Sequence, residues 1–195
     1  EQFNSLNFSE FDYGYLVPGL FSQLDYEASE DLSLSISARS DWHSEYGTQF
    51  SPRVSMIYRP NNWLIRGSFG QGFFAPSPFI EDIDEAGLSR LAALENIEEE
   101  HASTASLDIS YLQDDIETSM TLFTSTIDNV TELKPIDGAY TVANMQQSID
   151  KQVRLVNADG EAEIRGAELL LRYRYQDVKF TGSYLFTDAT QQKEK

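Results

Sequence analysis

Residues 32–41 read LSLSISARSD, and a two-residue rhythm runs through them. Leu32, Leu34, Ile36 and Ala38 fall on one side, with Ser33, Ser35, Ser37 and Arg39 on the other. Successive side chains of an extended strand point to opposite faces, whereas a helix brings together residues three and four apart. The stretch is therefore a strand with one apolar and one polar face. The rhythm returns at residues 104–111, where Ala105, Leu107, Ile109 and Tyr111 oppose Thr104, Ser106, Asp108 and Ser110. It returns again at residues 164–175, where Ala167, Leu169, Leu171, Tyr173 and Tyr175 oppose Gly166, Glu168, Arg172 and Arg174, with Leu170 out of step.

Working outward, the segments between strands are of two kinds. Ser29-Glu30-Asp31, Pro60-Asn61-Asn62, Gln113-Asp114-Asp115 and Gln176-Asp177 are short and suit tight antiparallel hairpins. Residues 44–49 are a modest connection, and residues 76–102 and 131–159 are long and polar. In an up-and-down sheet alternate turns lie at opposite ends, so one end is trimmed and the other carries large loops. Membrane barrels have that asymmetry, and their strands alternate without any long apolar run. Tyr26, Tyr58, Trp63, Tyr111, Tyr173 and Tyr175 lie near the short turns, where an interfacial girdle belongs. Trp42, Phe73, Phe74 and Phe186 are expected to mark the opposite rim. The expected fold is all-β, an antiparallel meander of roughly nine strand-like segments. One exception is residues 87–100, where Leu88, Leu91, Leu94 and Ile97 recur every three residues and predict a short amphipathic helix inside a long loop.

The composition narrows the chemistry. The formal charge of −18 repels phosphate backbones, which argues against a nucleic-acid partner. There are no cysteines, so disulfides, thiolate metal sites and cysteine nucleophiles are excluded, and only His43 and His101 are available as histidine ligands. Asp41 and His43 alternate onto one face, a pattern open to metal binding or acid–base use, although a polar lumen or rim position accounts for it more simply. No Ser/His/Asp spacing supports catalysis. Gly70-Gln71-Gly72 lacks the third glycine and the following helix of a nucleotide loop. Gly67, Gly70 and Gly72 along one strand instead imply close backbone approach or bending, and Pro52 is expected at the end of its strand. Arg165, Arg172 and Arg174, with Glu168, are expected to line an interior.

Residues 39–76 read RSDWHSEYGTQFSPRVSMIYRPNNWLIRGSFGQGFFAP. This stretch resembles the barrel signature of TonB-dependent receptors. The matching residues are Arg39, Asp41, Gly47, Phe50, Ser51, Pro52, Arg53, Gly70, Gly72, Phe73, Ala75 and Pro76. Asn157 and Arg165-Gly166-Ala167-Glu168 resemble the family's downstream asparagine and Gly-Val/Ala-Glu element. Residue 74 is Phe where the family often has a basic residue.

The resemblance implies part of a barrel of about 22 strands, with residues 1–195 a single partial barrel domain and the plug and remaining strands lying elsewhere in a longer protein. It implies the bacterial outer membrane, no enzymatic activity and no cofactor. The implied function is TonB-dependent uptake of a scarce nutrient, foremost a ferric siderophore. Partners would be the lipid bilayer, the ligand and, through an N-terminal part, the TonB complex. The long loops would meet the ligand, with Glu81, Asp82, Asp84, Glu85 and His101 as candidate contacts. A part-barrel with two free edges is expected to self-associate. Two other classes fit the strand pattern: another outer-membrane barrel, enzyme or adhesin, and a soluble β-sandwich binding module.

Overall fold

The period-two segments become long strands. The computed structural model describes residues 2–3, 13–77, 91–94, 96–136 and 153–191. Among them run β1 (Gln2–Phe3), β2 (Tyr13–Gly14), β3 (Gly19–Glu27), β4 (Leu32–His43), β5 (Gly47–Tyr58), β6 (Trp63–Phe74), β7 (Glu100–Gln113), β8 (Ile116–Asp128), β9 (Thr131–Pro135), β10 (Val153–Asn157), β11 (Ala162–Tyr175) and β12 (Val178–Gln191). Eight of these strands form one antiparallel sheet in the order β12-β11-β8-β7-β6-β5-β4-β3. β1 pairs with β2, and β9 pairs with β10 as a separate ladder inside the connection from β8 to β11. The sheet is open, with β3 and β12 at its edges.

The register carries the alternation across every strand. One row pairs Leu24 with Ile36, Ile36 with Val54, Val54 with Phe69 and Phe69 with Ala105. The adjacent row pairs Asp25 with Ser35, then Ser55, Ser68, Ser106, Phe123 and Gly166. One face of the sheet is thus apolar and the other polar. Leu24, Ile36, Phe69, Leu169, Leu171 and Tyr184 are all exposed on the apolar face. On the polar face the hydroxyls of Ser68 and Ser106 lie 2.9 Å apart, Thr121 donates to Asp108 over 2.8 Å, and Arg172 meets Glu117 at 2.7 Å.

The turn-side aromatics Tyr26, Tyr58, Trp63, Tyr111, Tyr173 and Tyr175 all fall on the apolar face, with the rings of Trp63 and Tyr111 at 4.8 Å. Trp42, Phe73 and Phe186 share that face at the other end, but Phe74 follows Phe73 directly and so turns to the polar side. The same parity corrects the placement of Arg165. It stands in step with Ala167 and Leu169, on the apolar side, and pairs with Asp188 across β12 at 3.0 Å.

The short turns carry backbone angles that hairpins favour. Asn61, Asp114 and Gln176 each have positive φ at the first central position. Neighbouring turns are tied side by side, through Arg59 N to Asp31 O, Leu112 N to Asn62 O and Arg174 N to Asp115 O. This end of the sheet is trimmed.

Three further expectations change. The described part of residues 87–100 is not helical. Leu91 forms a parallel bridge with Val153 and is fully buried, and β7 begins at Glu100. Burial against β10 outweighs the local periodicity, which recurs every three residues and so drifts off one helical face. Pro52 lies inside β5, not at its end. β5 pairs with β4 along its whole length, but with β6 only from Arg53 to Tyr58, so the missing N–H sits where the β6 ladder stops. Among the glycines of β6 only Gly70 is closely approached, by the stem of Arg53 at 3.3 Å from where a Cβ would stand, while Gly67 and Gly72 face open space.

Candidate functional site

The end opposite the trimmed turns carries the connections 44–46, 75–99 and 129–161. All the buried residues of the described chain lie at this end or just below it: Pro76, Leu91, Leu155 and Ala158 are apolar, and Asp41, His43 and Gln49 are polar. A loop end with its own packed interior is a built platform, unlike a fringe of solvated segments.

The first half of the platform grows from the β4–β5 turn. Arg39, Asp41 and His43 alternate onto the polar face, and Asp41 and His43 are only 2% and 6% exposed. Arg39 Nε reaches Asp41 Oδ2 at 2.7 Å. The other oxygen, Oδ1, is buried without a hydrogen-bond partner, and a Cβ on Gly19 would stand 2.2 Å from it. His43 Nδ1 accepts from the backbone N–H groups of Glu45 and Tyr46, each at 3.2 Å. Both partners are donors, so Nδ1 serves the turn as an acceptor. Gly47 follows with φ of 74°, the left-handed angle that lets a three-residue turn re-enter the sheet.

Aromatic rings close around this turn. The His43 ring stands 4.8 Å from Tyr15 and 5.0 Å from Tyr46. Both phenols donate to Pro76 O, over 3.4 Å and 2.9 Å, which fixes the start of the β6–β7 connection. Burial first, then the proximity of Tyr15, Glu45 and Glu99, pushes the Tyr46 phenol well above its ordinary value. It stays protonated and remains a donor. Gln49 Nε2 donates to Tyr46 O and to Glu99 Oε1, both at 2.7 Å. Burial alone would raise the Glu99 carboxyl, but hydrogen bonds from its own backbone, Gln49 and His101 hold it below the usual range.

The second half joins the two long connections. Asn157, the last residue of β10, offers its whole carboxamide to backbone groups. Its Oδ1 accepts from Glu98 N at 2.8 Å, and its Nδ2 donates to Glu98 O at 3.0 Å and Asn129 O at 2.6 Å. Asn129 takes a φ of 56° and donates to Glu98 Oε2 and Glu99 O. Glu100 accepts from both the N–H and the hydroxyl of Thr131, and Ala92 N donates to Val153 O at 2.8 Å.

The sequence motif is therefore brought together only in part. Arg39 and Asp41 pair, with Ser51 opposite Arg39 and Pro52 opposite Ala38. Arg53 and Gly70 pack together across β5 and β6. Ala75 and the buried Pro76 lead into the aromatic group, and Phe73 faces away opposite His101. His101 reaches Glu99 at 3.3 Å on the rim. Gly72 is open, and Glu168 stands between Thr121 and Leu185. Gly166 lies elsewhere, under the ring of Phe123. Glu81, Asp82, Asp84 and Glu85 fall outside the described residues. Tyr15, Tyr46 and Gln49 carry the platform without having been singled out in the sequence. Only Gln49 had a readable signal, as the residue facing Asp41 once the hairpin is registered.

Chemically these groups are committed to structure. The His43 acceptor is taken by the turn, the phenols hold Pro76, and the carboxamides hold backbone. The arrangement presents loops at one end of a two-faced sheet.

Comparison with known proteins gives the same picture. The siderophore receptor PirA from Pseudomonas aeruginosa superposes with a TM-score of 0.76 at 15% identity, over 92% of this chain and 35% of that one. The FrpB iron transporter from Neisseria meningitidis (F3-3 variant) gives 0.69 at 15%, over 91% and 26%. A mutant ferric enterobactin receptor from Pseudomonas aeruginosa gives 0.68 at 16%, over 89% and 26%. The chain thus spans about a third or less of each of these proteins, and the likeness is one of fold. No curated protein matches. The family described as TonB dependent receptor-like, beta-barrel, a family of transport receptors and not of enzymes, matches residues 2–195. This chain belongs to that TonB-dependent receptor β-barrel family.

Proposed function

We propose that this chain is part of the wall and loop platform of an outer-membrane receptor that takes up a ferric siderophore with energy from TonB. The observation that carries the reading is the two-faced sheet with its long connections gathered at one end. An apolar face this broad, ringed by aromatics, suits lipid, and the polar face suits an aqueous interior. Family membership supports the dependence on TonB, which would act through parts of the receptor outside this chain. The siderophore and iron receptors among the structural relatives support the ligand class. The long connections capture ligand, and the trimmed turns face the periplasm. Alone, a piece of this kind self-associates through its edges β3 and β12, which light scattering reads directly.

The test is uptake by cells carrying or lacking the full-length receptor gene, offered labelled ferric siderophores, haem and cobalamin, with and without a working TonB system. Uptake of a ferric siderophore that needs both the gene and TonB is the expected result. Uptake of haem or cobalamin alone would move the ligand class, and uptake indifferent to TonB would overturn the reading. Deleting residues 80–90 in the same receptor is expected to weaken capture and leave membrane insertion intact.

A further inference from the structure

Asn157 holds two connections at once, and the geometry is that of a latch. The β8–β11 connection supplies Asn157 and Asn129, and the β6–β7 connection supplies Glu98. A single carboxamide bonds both the N–H and the C=O of Glu98, as a neighbouring strand would, and spends its second amide hydrogen on Asn129 O. The same two connections meet again at Leu91 and Val153 and at Glu100 and Thr131. Each contact alone is a weak tie, but their closure around one packed interior makes opening of either connection require opening of the other.

We propose that Asn157 is a positioning residue that couples the β6–β7 and β8–β11 connections into one body, so that ligand is captured and released by both together. This rests on the capture reading above for its role, but not for its test. Asn157→Ala removes all three bonds. Asn157→Asp keeps the acceptor for Glu98 N and places a carboxylate oxygen against Glu98 O and Asn129 O, so only the donor half is inverted.

The experiment is backbone hydrogen exchange on the ligand-free full-length receptor in lipid nanodiscs. Loss of a net hydrogen bond's worth of local stability speeds exchange by about tenfold. In both variants that acceleration is expected together at residues 91–99 and at residues 129–135 and 153–158, with the centres of β7 and β8 unchanged. Leu91→Ala, made in the other connection, is expected to speed exchange at residues 153–158 in return, and serves where an Asn157 variant inserts poorly. Acceleration confined to the mutated connection, or protection in Asn157→Asp equal to the parent, would overturn the coupling. The receptor carries no ligand in this measurement, so a failure of the transport reading leaves its result standing.

Discussion

Replacing Gly166 by alanine tests the register of the sheet more sharply than any loop change. A Cβ at this position would stand 2.4 Å from Phe186 O, 2.5 Å from Phe123 Cζ and 2.9 Å from Phe123 Cε1. Ordinary non-bonded contact is about 3.5–4.0 Å between carbons, so the shortfall is about 1 Å on two sides. Phe123 can swing its ring aside, but Phe186 O belongs to the backbone of β12. Relief there means moving β12 away from β11 by most of an ångström. N–H···O bonds near 2.9 Å then stretch past the useful limit, and about one or two are lost at about 1 kcal/mol each. With the displaced ring the cost is about 2–3 kcal/mol, the upper part of the range for overpacking. The assay is urea unfolding of the full-length receptor in micelles, followed by the heat-dependent electrophoretic shift of folded barrels. Adding Phe123→Ala to Gly166→Ala is expected to relieve only the ring's share, about 1 kcal/mol, because the carbonyl stays. A Gly166→Ala receptor within about 0.5 kcal/mol of the parent would refute this register of β11 against β12.

Three further outcomes are expected from the same structure. Gly47 has open space around it but a φ of 74°, so Gly47→Ala is expected to cost about 1 kcal/mol and Gly47→Asn less, as thermal unfolding would read. Leu169→Arg, on the apolar face, is expected to lower membrane insertion by about 2–4 kcal/mol, whereas Ser106→Arg on the polar face is expected to leave the inserted fraction largely intact. Glu99 is held below its ordinary value of 4.5, so its contribution to loop order is complete above that pH. It is lost as pH falls through the lower folded value, and hydrogen exchange of residues 44–50 and 96–101 is expected to rise only in that acid window.

What could be read from the chain was what depends on neighbours one or two residues away. The alternation at residues 32–41, 104–111 and 164–175 fixes which side chains share a face, because the pleat has period two and admits no other arrangement. Asn61, Asp114 and Gln176 mark tight turns because a left-handed angle is cheap at Asn and tolerable at such positions. Six turn-side aromatics could be assigned to one rim before any pairing was known, and parity then put them all on one face. The family signature added what no periodicity supplies, namely the class of protein.

The remainder depended on contacts distant in sequence. The helix expected near Leu91 gave way because Leu91 is bridged to Val153, more than fifty residues on, and fully buried, and that burial outweighs local spacing. Arg165 was assigned to the wrong face by composition when the registered strand, with Asp188 opposite, puts it with Ala167. Asn157 looked like one motif residue among many until Glu98 and Asn129 stood on either side of its carboxamide. The sequence by itself determined a meander with an apolar side, a polar side and one end of long loops, since those follow from local geometry repeated along the chain. Only the tertiary structure decided that the loops form a packed platform, because a hydrogen bond or a buried contact exists only when two remote segments are brought within about 3–4 Å.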